Sequence, residues 1–239
     1  PGQRVATIKT FLQHLSNIKY GEIPISISAD FLVKERTVFS PPRLEFGKGE
    51  IMAPFQKGTI PSRASADFDT QVINWGSKKL PTLYAAGPYH NEPLPDTVLL
   101  YSQSIERPTR ETFLDDLTKE IQRQTTQILR VVQQRPYSVG PAERMGSSLL
   151  NLATEVKLSN IRYLALVILW DRFNKSVHGE LKNLIKPLLS QCVMEKTVRS
   201  ICLRSDPQRA TSQTRNTALA VLTESGVKPW VLADSLHYD

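Results

Sequence analysis

The chain has little cysteine and no long apolar run, and each shortage excludes a class of protein. Its 239 residues include only Cys192 and Cys202, with no CxxC pair and no histidine cluster of zinc spacing, so neither a disulfide scaffold nor a metal site is expected. The longest apolar run, residues 163–170, is far shorter than the ~18–20 residues of a membrane span. Because the first ten residues also lack a signal-peptide core, we expect a cytoplasmic protein without membrane contact.

Short catalytic and phosphate-binding motifs are missing too. No GxGxxG or GxxxxGK[ST] follows a predicted strand, and no serine lies in a GxSxG turn. The paired carboxylates Asp115 and Asp116 fall on the polar side of an amphipathic segment, which is typical of a solvated surface. The sequence therefore predicts no catalytic residue and no cofactor held by this chain.

What the chain does have is apolar material and a basic excess. Hydrophobic residues make up 40% of it, enough to bury a core. The net charge of +7 favours a polyanionic partner, although a basic soluble surface explains it almost as well. Nine basic and only three acidic residues lie within 172–215, so an anion site is expected there. The alternative is a solvated helix face.

Proline divides the chain into two parts. Ten of sixteen prolines precede residue 96, among short extended pieces at 23–28 and 43–47 and a helical pattern at 5–18. We predict an irregular Pro-rich segment with short strands and one helix, split into a linker-like part, 1–45, and a lead-in, 46–95.

From residue 96 the pattern alternates. Strands are predicted at 97–105, 160–171, 191–198 and 229–234, and helices at 110–133, 173–189 and 212–225. A buried helix is the alternative for 160–171. The alternation predicts an α/β fold over 96–239, with a Rossmann-like parallel sheet and helices on both faces. Ligands of such sheets bind at the carboxyl ends of the strands.

One basic helix contains the most informative side chains. His178 and Lys182 are four residues apart and share a helix face, and Lys186 follows one turn later. Gln191 begins the next strand. An imidazole that stacks on a terminal base and a lysine near its phosphate would form a pocket for a nucleotide end. A helix with ordinary exposed basic residues is the alternative.

The segments HGELKNLIKPLLSQCV (178–193) and QTRNTALAVLTESGVKPWVL (213–232) resemble the MID domain of Argonaute proteins, most closely the prokaryotic branch. PPRLEFGKGE (41–50) and AAGPYHNEPLP (85–95) resemble the stretch that precedes this domain. The resemblance covers residues 40–239, and the first 40 residues resemble the tail of the family's second linker. It implies a non-catalytic module that anchors the 5′ end of a short guide strand, RNA or DNA, in nucleic-acid interference or prokaryotic defence.

The resemblance also implies roles for individual residues. His178 matches the residue that stacks on the first guide base, Lys182 and Gln191 match those that hold the 5′ phosphate, and Asn216 matches an asparagine that faces the first nucleotides. Lys186, Lys196, Arg199 and Arg215 are candidates for backbone contacts, with Arg204 and Arg209 further along the same path.

Glu224 departs from the family pattern, which often has a second phosphate-binding lysine there. A carboxylate beside a phosphate is unfavourable, so either Glu224 points away, a cation such as Mg²⁺ bridges the two groups, or the strand ends in a 5′ hydroxyl.

The expected partners are a guide strand, its target and a PIWI domain. In the family the PIWI nuclease begins after the Pro-Trp strand, near where this chain ends, so its acidic residues are expected outside the chain, in a longer protein or a separate polypeptide. Two alternatives stay open. One is an interaction domain that docks a partner chain through the helix at 5–18 and the Pro-rich segment. The other is a Rossmann-like domain that binds a nucleotide or metabolite.

Overall fold

The computed structural model describes residues 19–20, 23–24, 42–53, 66–158, 163–184 and 189–233. The chain divides into two compact units, Pro1–Phe39 and Ser40–Asp239. In the first unit, strand β1 (Lys19–Tyr20) pairs antiparallel with β2 (Ile23–Pro24). The helix predicted at residues 5–18 lies outside the described residues.

The second unit contains the remaining elements. In chain order they are β3 (Leu44–Glu45), β4 (Ile51–Met52), α1 (Ala66–Ala86), β5 (Thr97–Ser102), α2 (Arg107–Thr125), β6 (Val131–Tyr137), α3 (Ser147–Leu158), β7 (Leu164–Leu169), α4 (Ser176–Leu184), β8 (Leu189–Met194), α5 (Glu195–Leu203), α6 (Pro207–Glu224) and β9 (Val231–Leu232). Short 3-10 turns occupy Gly47–Gly49 and Pro141–Met145.

Four of these strands form a parallel sheet in the order β6-β5-β7-β8. All six residues of β7 are buried, and alternate side chains enter two different hydrophobic clusters. Leu164, Leu166 and Ile168 pack with residues of α2, α5 and α6, whereas Ala165, Val167 and Leu169 pack with residues of α3 and α4. Because successive strand side chains point to opposite faces, a central strand covered on both sides must be apolar throughout. The predicted α/β fold with helices on both faces is confirmed.

The helix predicted at 110–133 is wrong at its C-terminal end. Helix α2 stops at Thr125, Thr126 takes a left-handed conformation with φ 66°, and the chain continues as edge strand β6. Ile128 is 64% exposed, so it does not extend the buried helix face. The apolar spacing continued past the true end of the helix.

Two further helices, α3 and α5, have no counterpart in the sequence-based prediction. Helix α5 takes over the second half of the predicted strand 191–198, because β8 ends at Met194. In both helices the buried residues recur at helical spacing, for example Leu149, Ala153 and Val156 in α3. The helical spacing of apolar residues is therefore present in the sequence, but it extends over only 12 residues in α3 and 9 in α5.

The last predicted strand belongs to a different sheet. β9 pairs antiparallel with β3, which also pairs with β4, rather than extending the parallel sheet. The lead-in 46–95, expected to be irregular, contains the 21-residue helix α1 with Pro81 inside it. This helix is stabilised by burial, because Leu83 and Ala86 pack in a third cluster with Leu44, Phe46 and Met52. The division at residues 45 and 95 stays a prediction.

Candidate nucleic-acid interface

The connection from β7 to α4 is held by a buried tyrosine. The hydroxyl of Tyr137 donates to the carbonyl oxygen of Ile168 at 2.6 Å and accepts from the backbone N–H of Trp170 at 2.9 Å. Its ring stacks on Phe173, with centroids 5.5 Å apart. Burial raises the pKa of Tyr137 far above its usual range, so the hydroxyl stays protonated. Sequence reasoning missed this residue, which positions the chain just before α4.

Helix α4 presents one buried and one accessible face. Val177 and Leu181 are buried against the sheet, and His178 is exposed. Lys182 lies one turn after His178, with 43% of its side chain exposed. Both predicted residues therefore lie on one helix, and both side chains are accessible to a ligand.

The carboxylate of Glu224 lies beside Lys182. Its Oε1 is 3.9 Å from the Nζ of Lys182, and 41% of its side chain is exposed. Glu224 is the last residue of α6, which packs on the opposite sheet face from α4. The two side chains therefore approach each other at the margin of the sheet formed by β8. This distance brings the Glu224 carboxylate beside Lys182, and the three interpretations of Glu224 stay predictions.

Cys192 on β8 lies within electrostatic range of this pair. Burial raises the pKa of its thiol to about 11; the positive charge of Lys182 opposes the rise and the negative charge of Glu224 adds to it. The neighbouring Gln191 donates through Nε2 to the backbone oxygen of Cys192 at 2.8 Å. Its amide is thus already used locally, and its role at a guide end stays a prediction.

The other candidate residues are more dispersed. Asn216 is exposed on α6, eight residues before Glu224, or about 12 Å along the helix axis. Lys196 is exposed in the first turn of α5, and Lys186 lies outside the described residues. Arg215 is half-buried, and its Nε has no hydrogen-bond partner among the described residues. Their contacts with a nucleic-acid backbone stay predictions.

Arg199 already has structural partners. It donates to Oε1 of Glu195 from Nε at 3.0 Å and from Nη2 at 2.7 Å, and to the carbonyl oxygen of Ser104 at 2.7 Å. The hydroxyl of Ser104 donates to the second carboxylate oxygen of Glu195. This partly buried network joins the end of β5 to the start of α5, and sequence reasoning missed it. The spacing of apolar residues along a helix does not indicate a contact between Ser104 and Glu195, which are 91 residues apart in the sequence.

A separate cleft of about 370 Å³ lies between α2, α5 and α6. Arg204 bridges it by donating to both carboxylate oxygens of Asp116 at 2.9 and 3.0 Å. None of its lining residues belongs to the His178–Lys182 region. We place the candidate site at α4 rather than in this cleft, because the residues that resemble guide-end ligands, His178 and Lys182, lie on α4.

Within the described ranges, no group of three His, Cys, Asp or Glu side chains is arranged to hold a metal ion. None of the described helices has the length and hydropathy of a membrane span.

The fold was compared with known proteins. No family sequence model and no curated protein matches the chain in sequence. Among solved structures, Aquifex aeolicus Argonaute matches with a TM-score of 0.60 and 16% identity, over 100% of this chain and 31% of that one. Clostridium butyricum Argonaute, bound to a guide DNA and a 19-mer target DNA, matches with a TM-score of 0.53 and 14% identity, over 98% and 30%. The MID domain of Arabidopsis thaliana AGO5 matches with a TM-score of 0.42 and 18% identity, over 58% and 94%.

The chain thus spans about a third of the length of these two bacterial Argonautes. Identities this low support a shared fold and not a shared activity. The fold of this chain is shared with part of these two Argonaute structures, in agreement with the resemblance seen in its sequence motifs.

Proposed function

We propose that this chain is a non-catalytic nucleic-acid-binding module that anchors the 5′ end of a short guide strand. A PIWI domain, in the same or another polypeptide, would then carry out guide-directed target binding or cleavage. The observation that carries the proposal is the placement of His178 and Lys182 on the accessible side of α4, in a fold shared with an Argonaute whose structure contains a guide DNA.

Each residue has a distinct task in this proposal. The exposed imidazole of His178 stacks on the first base, an interaction that tolerates any base because every base has a π face. Lys182 supplies a cation one turn away, and Asn216, Lys196 and Arg215 extend the path along α5 and α6. Lys186 and Gln191 are further contacts to the end.

Binding of single-stranded oligonucleotides tests this function. The label belongs on the 3′ end, since the 5′ end is the one expected to be enclosed. We expect affinity to fall as salt rises, because cations are released when basic side chains contact phosphates. His178→Ala should weaken binding roughly tenfold through loss of base stacking, and Lys182→Ala should weaken it by a similar factor.

Lys119→Ala is the matched control. Lys119 is an exposed helical lysine paired with Asp115 four residues earlier, on α2 and away from the proposed site. Its removal should change affinity less than about twofold, as expected for an exposed ion pair. Equal losses in all three variants, or binding that ignores salt, would contradict a specific site on α4.

The two alternative functions lack comparable support. The interaction domain would dock a partner chain through the helix at 5–18, which lies outside the described residues, and through the Pro-rich segment, and it stays a prediction. The metabolite-binding domain would use the cleft beside Arg204, whose charges are engaged with each other. Recovery of a nucleotide or metabolite with the purified protein would favour that function instead.

A further inference from the structure

We propose that the Lys182–Glu224 pair makes this site select a strand that ends in a 5′ hydroxyl over one that ends in a 5′ phosphate. The inference rests on the proposed function and concerns the chemistry of the bound end. It starts from the 3.9 Å that separates Nζ of Lys182 from Oε1 of Glu224. About two-fifths of each side chain is exposed, so a strand end can reach both.

Charge is the first reason. The positive charge of Lys182 is already balanced by Glu224, so the pair is neutral as a unit. A terminal phosphate monoester has a charge of about −1.5 to −2 near neutral pH. It would gain one attraction to Lys182 and an opposing repulsion from Glu224 at almost the same distance. A neutral hydroxyl meets no such repulsion.

Geometry is the second reason. A separation of 3.9 Å is too long for a direct hydrogen bond between the two side chains. An oxygen placed about 2.8 Å from both atoms would fit between them, with ordinary hydrogen-bond lengths on each side. A hydroxyl there accepts from the ammonium of Lys182 and donates to the carboxylate of Glu224. A phosphate ester oxygen that lacks a proton cannot make the second of these bonds.

Among the described residues, the pair has no cluster of carboxylates beside it that could hold a bridging cation. A bridging cation would need further ligands, and the described part of the chain has no cluster of three His, Cys, Asp or Glu for it. The nearby Cys192 thiol is protonated at neutral pH because burial raises its pKa, so it is a poor metal ligand there. Of the three interpretations of Glu224, the hydroxyl end agrees with these contacts.

The test compares two oligonucleotides of one sequence that differ only in a 5′ hydroxyl or a 5′ phosphate. Each carries a 3′ label and is titrated against the full chain, with Mg²⁺ and with a chelator. We expect the wild type to bind the hydroxyl end about fivefold more tightly under both conditions. Glu224→Gln removes the charge but keeps the shape, and should shift the phosphate-to-hydroxyl affinity ratio about tenfold towards phosphate. Glu224→Lys should shift it further.

Glu155→Gln is the control for charge removal in general. Glu155 is an exposed carboxylate on α3, 2.6 Å from Arg135. Its substitution should leave the phosphate-to-hydroxyl affinity ratio unchanged. A melting temperature for each variant excludes unfolding as the cause.

Three results would overturn the inference. The first is a wild type that prefers the phosphate end with or without Mg²⁺, together with an unchanged ratio in Glu224→Gln. The second is a phosphate preference that appears only with Mg²⁺, which would establish the bridging cation. In both cases the proposed function survives. The third is absence of binding to either end, which would overturn the proposed function as well.

Discussion

The pKa of the Cys192 thiol depends on the burial and the charges around it. It is one of two cysteines, and it packs from β8 against the cluster that contains Leu181 of α4. Burial is the main cause of its raised pKa, and the charges of Lys182 and Glu224 modify that pKa in opposite directions. The thiol is therefore an internal probe of the candidate site.

Alkylation of Cys192 should have an unusual pH profile. Only the thiolate reacts, so in a Cys202→Ser background the rate of iodoacetamide labelling should rise with a midpoint near pH 11. Glu224→Gln should lower this midpoint, since a negative neighbour is removed, and Lys182→Ala should raise it. Mass spectrometry of the labelled protein over time gives the rates. A midpoint near that of an ordinary thiol, about 8.5, would mean that the side chain is not buried.

At the scale of elements, the cap of α6 determines where Glu224 falls. The carboxylate of Asp206 accepts a hydrogen bond from the backbone N–H of Arg209 at 3.0 Å, and Pro207 takes the first helical position. The helix then buries Ala218, Val221 and Leu222 against the sheet and ends at Glu224. The Asp206 cap determines where the helix begins, and the buried face determines how it is rotated against the sheet. Together they place the Glu224 carboxylate beside Lys182.

Removal of this cap should destabilise the protein. Asp206→Ala leaves the N–H of Arg209 without its acceptor, and we expect a loss of about 1 kcal/mol in the free energy of unfolding. Urea denaturation measures it. Asp206→Ser should retain most of the stability, because a serine oxygen also accepts the bond. Glu106→Ala is a matched control at the start of α2, where the side chain makes no capping bond, and should cost less than half as much.

At the scale of the whole second unit, three hydrophobic clusters are linked by shared elements. Two cover the faces of the parallel sheet, and the third joins β3, β4 and α1. Helix α6 links the first and third clusters, because Ala218 packs on the sheet and Leu219 packs with Trp230 beside Phe46. The 46–95 lead-in therefore has its own cluster, which α6 connects to the cluster on one face of the sheet.

A fragment of residues 40–239 should fold without the first 39. All three clusters, as described, lie within it, so we expect one cooperative thermal transition close to that of the full chain. A fragment of residues 96–239 should be less stable by roughly 2 kcal/mol or more, since Leu219 and Trp230 lose their partners. Circular dichroism melting compares the three proteins. A shorter fragment as stable as the longer one would contradict a shared core.

Much of the sheet and the face of α4 could be read from the sequence. Strand β7 is a continuous apolar run, and such a run is required where helices cover both faces of a strand. The four-residue spacing of His178 and Lys182 puts them on one helix face wherever that helix packs. Both features depend only on residues that are close in sequence, so the spacing of residue types along the chain is enough to predict them.

The tertiary structure decided the rest. The end of α2, the edge strand β6 and the membership of β9 in a separate sheet depend on which distant segments pair with them. Lys182 and Glu224 are 42 residues apart and belong to helices on opposite faces of the sheet. Sequence alone left three interpretations of Glu224, because the direction of its side chain depends on packing and not on periodicity. Because the two side chains meet beside β8, the net charge at the proposed guide end depends on the Glu224 carboxylate.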